Sequence, residues 1–343
     1  MVNFYGGGFV YGSASVNMPP ANYPVLNVSE STEILFVYPN YRVNVFGLLP
    51  GKEVAEDPES DLNAGLLDQE AALKWVRKHI ASFGGDPEAV SIWGQSAGAG
   101  SVVAQVIGRR QDPPLFKRAL ASSAYWPKTY RYDSAEAQTL YDRMVNLTGC
   151  TGPNSLQCLK SVDLSAIQDA NTIVVGSHLY TTSQYTWAPV IDGIFLSRPL
   201  SAVMSADVNG EVAWGMYNTR EGDYFMPSGL KELETTGSPS LNHSAASFDT
   251  WLRGYLPTFS DDDIRAVKRI YPASGATESL KYDDAFTRAG LIYRDSVLAC
   301  PAFWLAGLAP KGGWVGEYSI PPANHATDTE WVSPPSCIWR LKR

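Results

Sequence analysis

The chain reads as an α/β protein: a mainly parallel central sheet with helices on both faces. Two observations lead there. Short β-branched and aromatic runs alternate with helical patterns, the arrangement of a parallel sheet covered by crossover helices. Glycine-rich turns also stand at the ends of two of these runs, Gly6-Gly7-Gly8 near the start and Gly94-Gln-Ser96-Ala-Gly98 further on.

Val2–Tyr5 is a short apolar run with the look of a strand's last residues, and Gly6-Gly7-Gly8-Phe9 follows it directly. Consecutive glycines leave backbone N–H groups uncovered by side chains, which suits an oxyanion site as well as a flexible loop. Ile34–Tyr38, apolar and aromatic, reads as a second strand. From Leu66 to Ile80 a helical period puts Leu66, Leu73, Val76 and Ile80 on one face, with Lys74, Arg77 and Lys78 outside it. Pro58 to Asp61 provides its start signal and Phe83-Gly84-Gly85 its stop. Ala89–Trp93 reads as a buried strand running straight into Gly94-Gln-Ser96-Ala-Gly98. A glycine on either side of Ser96 lets the backbone reverse sharply from strand to helix and lifts the serine oxygen clear. The helix N-terminus behind it offers free N–H groups to developing negative charge. Further strands are expected at Ala119–Ser122, Val212–Tyr217 and Trp314–Ile320, and a surface loop at Thr235–Ser247. No repeat, low-complexity tract or linker interrupts the sequence, so residues 1–343 read as one domain.

A glycine-rich loop after one strand and a serine elbow after a later one are the two parts that acyl transfer needs. The serine then needs a base, and the base an acid to orient it, in the chain order serine, acid, histidine. Of the four histidines, His79 precedes the serine and closes a helix, His178 precedes any good acid motif, and His243 lies in a polar loop. His325, just beyond the last expected strand, is the candidate base. The acid should follow Val212–Tyr217, where the residues alone leave Glu221 and Asp223 in competition. Trp126, Trp187, Tyr224 and Phe225 suit an apolar substrate pocket or, more simply, the core.

The stretches Asn40-Tyr-Arg42-Val-Asn-Val-Phe-Gly47, Gly65-Leu-Leu-Asp68-Gln-Glu-Ala-Ala-Leu-Lys-Trp75, Phe83-Gly-Gly-Asp86-Pro and Gly94-Gln-Ser-Ala-Gly98 resemble the type-B carboxylesterases. That family holds the cholinesterases, several fungal lipases and many broad-specificity esterases. The likeness runs nearly unbroken from residue 2 to about 127 and in islands to about 330. It implies the α/β-hydrolase fold and a carboxylic ester hydrolase working through an acyl-enzyme, with Ser96 as nucleophile, His325 as base and Glu221 as acid. It further implies an oxyanion hole from the amides of Gly7, Gly8 and Ala97, a supporting serine at Ser123, and a structural ion pair between Arg42 and Asp68. Trp187-Ala-Pro-Val-Ile-Asp192-Gly193 resembles a segment of the pocket wall. Gln95 stands where many relatives carry glutamate, which speaks against a cationic substrate. Adhesion proteins such as the neuroligins share the fold and lack the nucleophile; an intact Ser96, Glu221 and His325 argues against that class.

The ends look unlike the family. Its members carry strands before the glycine-rich loop and helices after the histidine, and Ser333–Arg343 resembles nothing in it. A chain truncated at both ends, poorly stable or inactive, is the corresponding expectation, with Ile34–Tyr38 left as an exposed sheet edge.

The chemistry calls for neither cofactor nor metal, and the partner is a small carboxylic ester or lipid. A net charge of −8 and no basic stripe argue against nucleic acid. No apolar run approaches the ~20 residues that span a bilayer. Cys150 and Cys158 flank a short loop that a disulfide could close, and the resemblance implies that disulfide. Cys300 has no evident partner, and Cys337 in the tail is a doubtful one. Sequons at Asn27, Asn146 and Asn242 lean towards glycosylation and secretion, although no signal peptide precedes Val2.

Overall fold

The computed structural model describes residues 1–15, 33–182, 186–233 and 240–329. Five strands form a wholly parallel sheet in the order β1 (Val2–Phe4), β2 (Ser91–Gln95), β3 (Arg118–Ser122), β4 (Val212–Asn218) and β7 (Gly313–Tyr318). A separate two-stranded ribbon, β5 (Gly275–Ala276) and β6 (Lys281–Tyr282), lies between the last two in sequence. Neighbours align Phe4 with Gly94, Gln95 with Ser122, Ser122 with Met216 and Asn218 with Tyr318. All five carboxyl ends therefore open on one edge, where open α/β sheets bind ligands.

The helices are α1 (Asn44–Leu48), α2 (Lys52–Glu56), α3 (Ala64–His79), α4 (Ala97–Ile107), α5 (Ala135–Thr148), α6 (Ser155–Ser161) and α7 (Leu164–Thr182). After β4 come α8 (Ala245–Tyr255), α9 (Asp261–Ile270), α10 (Ala285–Arg294) and α11 (Cys300–Leu308). Helix α3 follows its expected pattern, burying Leu66, Leu73 and Val76. Helix α4 packs on β2 and β3, and α11 on β4 and β7. Val2, Phe4, Ile92, Ala119 and Ala213 of the sheet join Leu73, Val102 and Leu305 in one apolar cluster. A second cluster, with Tyr141, Met144, Trp187, Phe248, Trp251 and Tyr293, fills the space among α5, α7, α8 and α10.

One expectation is corrected. Ile34–Tyr38 forms no strand: Val37 alone makes a parallel bridge to Val2. Its carbonyl accepts from Asn3 N at 2.8 Å and its amide donates to Met1 O at 2.9 Å. Met1 N also donates to Leu35 O at 2.6 Å, but no second bridge forms. Residues 285–308 also form one helix of 24 residues, α10 and α11 joined through the π-helical turn Asp295–Ala299, long and apolar enough to cross a bilayer. Arg294 and Asp295 interrupt its apolar run, which hides its length in the sequence. More than half of it is buried inside the protein, Leu291, Leu298 and Leu305 almost completely, as in a core helix.

Cys150 and Cys158 are joined in a disulfide, with Cα atoms 5.4 Å apart. Cys300 is a free, exposed thiol. Asn27, Cys337, the side chain of His178 and the whole of 333–343 lie outside the described residues.

Candidate active site

Strand β2 ends and α4 begins at Ser96, whose backbone stands at φ 59°, ψ −127°. A non-glycine residue held there costs about 1–3 kcal/mol and persists only where its surroundings over-determine it. They do so here. Ser96 N donates to Ser122 O at 3.0 Å, and Gly100 N donates to Ser96 O at 2.9 Å. A Cβ on Gly94 would lie 2.2 Å from the Gly98 carbonyl, and one on Gly98 would lie 2.1 Å from Phe4 O. The two glycines are thus needed because backbone touches backbone.

The glycine-rich loop leaves β1 beside the elbow. Gly7 sits at φ 119° and Gly8 at φ 63°. Gly7 O accepts from Val10 N at 3.0 Å and Tyr11 N at 3.2 Å, which closes the loop into a tight turn. The amides of Gly7, Gly8 and Ala97 donate to no protein acceptor among the described residues. They remain available to an oxyanion.

His325 Nε2 is 2.9 Å from Ser96 Oγ, and Nδ1 is 2.7 Å from Glu221 Oε1. Glu221 is fully buried in the turn after β4, and its Oε2 accepts the Asn218 amide at 2.9 Å. Both carboxylate oxygens are thereby fixed. A carboxylate on Nδ1 leaves Nε2 free to take the serine proton. The aromatic wall is close: Phe225 meets the imidazole edge-on at 4.9 Å, and Tyr224, largely exposed, lies 5.8 Å away. Gln95 Nε2 is 3.4 Å from His325 Nε2.

Asp223, the other candidate acid, is engaged elsewhere. Its Oδ2 accepts from Arg220 Nη2 at 2.8 Å and Nε at 2.9 Å. Burial raises its pKa above the ordinary carboxylate value, with Arg220 opposing. Trp126 and Trp187 belong to the buried core, where the Trp187 indole donates to Asn171 Oδ1 at 2.6 Å. His79 packs against Trp75 at the end of α3, with ring centres 5.1 Å apart and the planes tilted by 38°, and His243 is exposed.

Ser123 is completely buried, and its hydroxyl has no hydrogen-bond partner among the described residues. Its neighbour Ser122 donates instead to Asp328, three residues beyond the histidine. His325-Ala-Thr-Asp328 is similar to the family's histidine-x-x-acid segment, which marks Asp328 in the sequence but not its partners. Asn218 does not stand out: it is a lone polar residue whose contact with Asp328 lies 110 residues away.

Arg42 and Asp68 meet in a two-pronged pair, Nε–Oδ2 at 2.8 Å and Nη2–Oδ1 at 2.9 Å. Burial works against the Asp68 charge, but the Arg42 hydrogen bonds outweigh it and hold its pKa down. The Arg42 side chain is 56% exposed, so the pair is a surface clamp on the loop before α1.

The carboxylesterase family model matches residues 1–330. Secreted lipase 1 of Botryotinia fuckeliana is 36% identical over 333 residues, 92% of this chain and 56% of the relative. Carboxylesterase patB of Aspergillus clavatus is 30% identical over 338 residues, 97% of this chain and 57% of the relative. The chain thus spans about half the length of the curated relatives it matches. Among solved structures, Aspergillus niger EstA superposes with a TM-score of 0.76 at 27% identity, covering 96% of this chain and 63% of that one. A PNB esterase, at 22% identity and a TM-score of 0.71 over 96% of this chain and 66% of its own, shares the fold.

Proposed function

The chain belongs to the carboxylesterase family and has its α/β-hydrolase fold, and from that premise we propose that it hydrolyses carboxylic esters through an acyl-enzyme on Ser96. The observation that carries the reading is the continuous hydrogen-bonded line Ser96–His325–Glu221 at 2.9 and 2.7 Å.

In this reading His325 Nε2 takes the Ser96 proton as Oγ attacks the ester carbonyl. The oxyanion forms against the amides of Gly7, Gly8 and Ala97, whose fixed dipoles need no reorganisation. Glu221 holds the imidazole in the right tautomer and stabilises its charge. The imidazolium protonates the departing alkoxide, and water then repeats the sequence to release the carboxylic acid. The substrate is a small carboxylic ester or a lipid, as the lipase and carboxylesterase relatives suggest.

Secretion fits the relatives named as secreted lipases and the Cys150–Cys158 disulfide. The sequon asparagines Asn146 and Asn242 are both exposed and suited to glycans. The test of function is hydrolysis of p-nitrophenyl acetate and butyrate by the purified chain and by Ser96→Ala. A fall of ~10⁴-fold or more in kcat for the variant is expected; equal rates would overturn the proposal.

A further inference from the structure

Asp328 is a carboxylate that the proposed chemistry does not use, and it is 97% buried, with 3% of its surface exposed. No lysine, arginine or histidine nitrogen comes within 4.0 Å of it among the described residues. Buried charges are ordinarily paired, so one held by neutral donors alone calls for a reason. Its oxygens accept from Ser122 Oγ and, at 3.0 Å, from Asn218 Nδ2. Ser122 ends β3, Asn218 ends β4, and Asp328 belongs to the loop that leaves β7. One side chain therefore ties together three neighbouring strand ends.

The loop it ties down is conformationally unusual. Ala323 (φ 51°) and Ala326 (φ 69°) bracket His325 in the left-handed region, which disfavours side chains. Such backbone survives only where contacts enforce it. Before the histidine, Ala323 O accepts from Arg220 N at 2.9 Å and Asn324 O from Asn218 Nδ2 at 2.7 Å. After it, Thr327 and Thr329 hydrogen-bond only inside the loop, which leaves Asp328 as the anchor to the sheet among the described residues. Asn218 meanwhile gives its amide to Glu221. The same asparagine thus registers the acid and the histidine loop against each other.

We infer that Asp328 is a positioning residue: through Ser122 and Asn218 it fixes the His325 loop so that the imidazole meets both Ser96 and Glu221. The inference rests on the esterase reading. It assigns the work to the link rather than to the charge. An asparagine in its place can still accept from Asn218 and donate to Ser122; an alanine can do neither.

The experiment compares Asp328→Ala, Asp328→Asn and Ser122→Ala with the parent and with Ser96→Ala, on p-nitrophenyl butyrate. Melting temperature and the downfield proton resonance of His325 Nδ1–H are recorded alongside. A displacement of about an ångström costs ~100-fold, so Asp328→Ala should lose ~100-fold in kcat with KM within ~3-fold. Its downfield resonance should broaden or shift. Asp328→Asn should recover kcat to within ~10-fold of the parent, and Ser122→Ala should lose ~10-fold. A folded Asp328→Ala with parental kcat and resonance would overturn the inference, as would Asp328→Asn failing as badly as alanine. If Asp328→Ala does not fold, Ser122→Ala decides, and parental kcat there overturns it. Full activity in Ser96→Ala would instead sink the esterase reading itself.

Discussion

On the serine side of the site the backbone does the positioning. Gly94 and Gly98 let β1, β2 and α4 touch at distances no side chain allows, and Ser96 is fixed by main-chain hydrogen bonds. On the histidine side the side chains do it. Glu221, Asn218 and Ser122 hold a loop that sits about a hundred residues or more from them in sequence, the last two through the loop's own Asp328. The difference teaches where damage should appear. Changes near the serine should break the fold together with the chemistry, whereas changes near the histidine should spare the fold and stop the chemistry.

The largest effect is expected from Gly98→Ala, whose Cβ would lie 2.1 Å from Phe4 O. A clash of backbone with a new side chain belongs with the severe class of substitutions, about 4 kcal/mol or more. We predict loss of soluble, folded protein. A melting temperature within ~3 °C of the parent would break the comparison on the serine side.

Next comes Glu221→Gln. It should lower kcat by ~10⁴-fold, as removal of a triad acid does, while the melting temperature stays near the parent's. Asp223→Asn sharpens the contrast, since Asp223 serves Arg220. It should change kcat by less than ~10-fold. Burial raises the folded-state pKa of Asp223 above its unfolded value. Protonation therefore favours the native state, and this contribution is lost as pH rises through the raised value. Asp223→Asn should flatten that part of the stability–pH curve. Urea denaturation between pH 4 and 7 reads it, and an Asp223→Asn activity loss matching that of Glu221→Gln would reassign the acid.

The smallest effect is expected at the surface clamp. Arg42→Ala should cost about 1 kcal/mol or less in urea denaturation, because Arg42 is 56% exposed and solvent screens the pair. A loss of about 3 kcal/mol would mean that the pair behaves as a buried one.

The same contrast explains what the sequence discloses. The elbow is legible because its requirement is local: strand, glycine, serine, glycine and helix are adjacent in the chain. The strands β2, β3, β4 and β7 are legible to within two residues from their apolar runs. His325 follows from chain order and Glu221 from resemblance. Ile34–Tyr38 misleads because its apolar residues signal a strand, while strand formation also needs a regular ladder, and only Val37 bridges to β1. Ser122 and Ser123 cannot be told apart by composition, since which hydroxyl reaches Asp328 depends on sheet register and on the positive φ of Ser123. Asn218 and Asp328 act across 110 residues, which no local pattern encodes.

The most direct test of the central claim is the site of covalent labelling by a fluorophosphonate. An activated serine facing an oxyanion hole should react selectively. Peptide mass mapping of the labelled native protein should place a single adduct on the peptide containing Gly94 to Gly98, absent from Ser96→Ala and slowed by orders of magnitude in Glu221→Gln. An adduct on another serine, or undiminished labelling of Ser96→Ala, would contradict the assignment of Ser96, His325 and Glu221 as one catalytic unit.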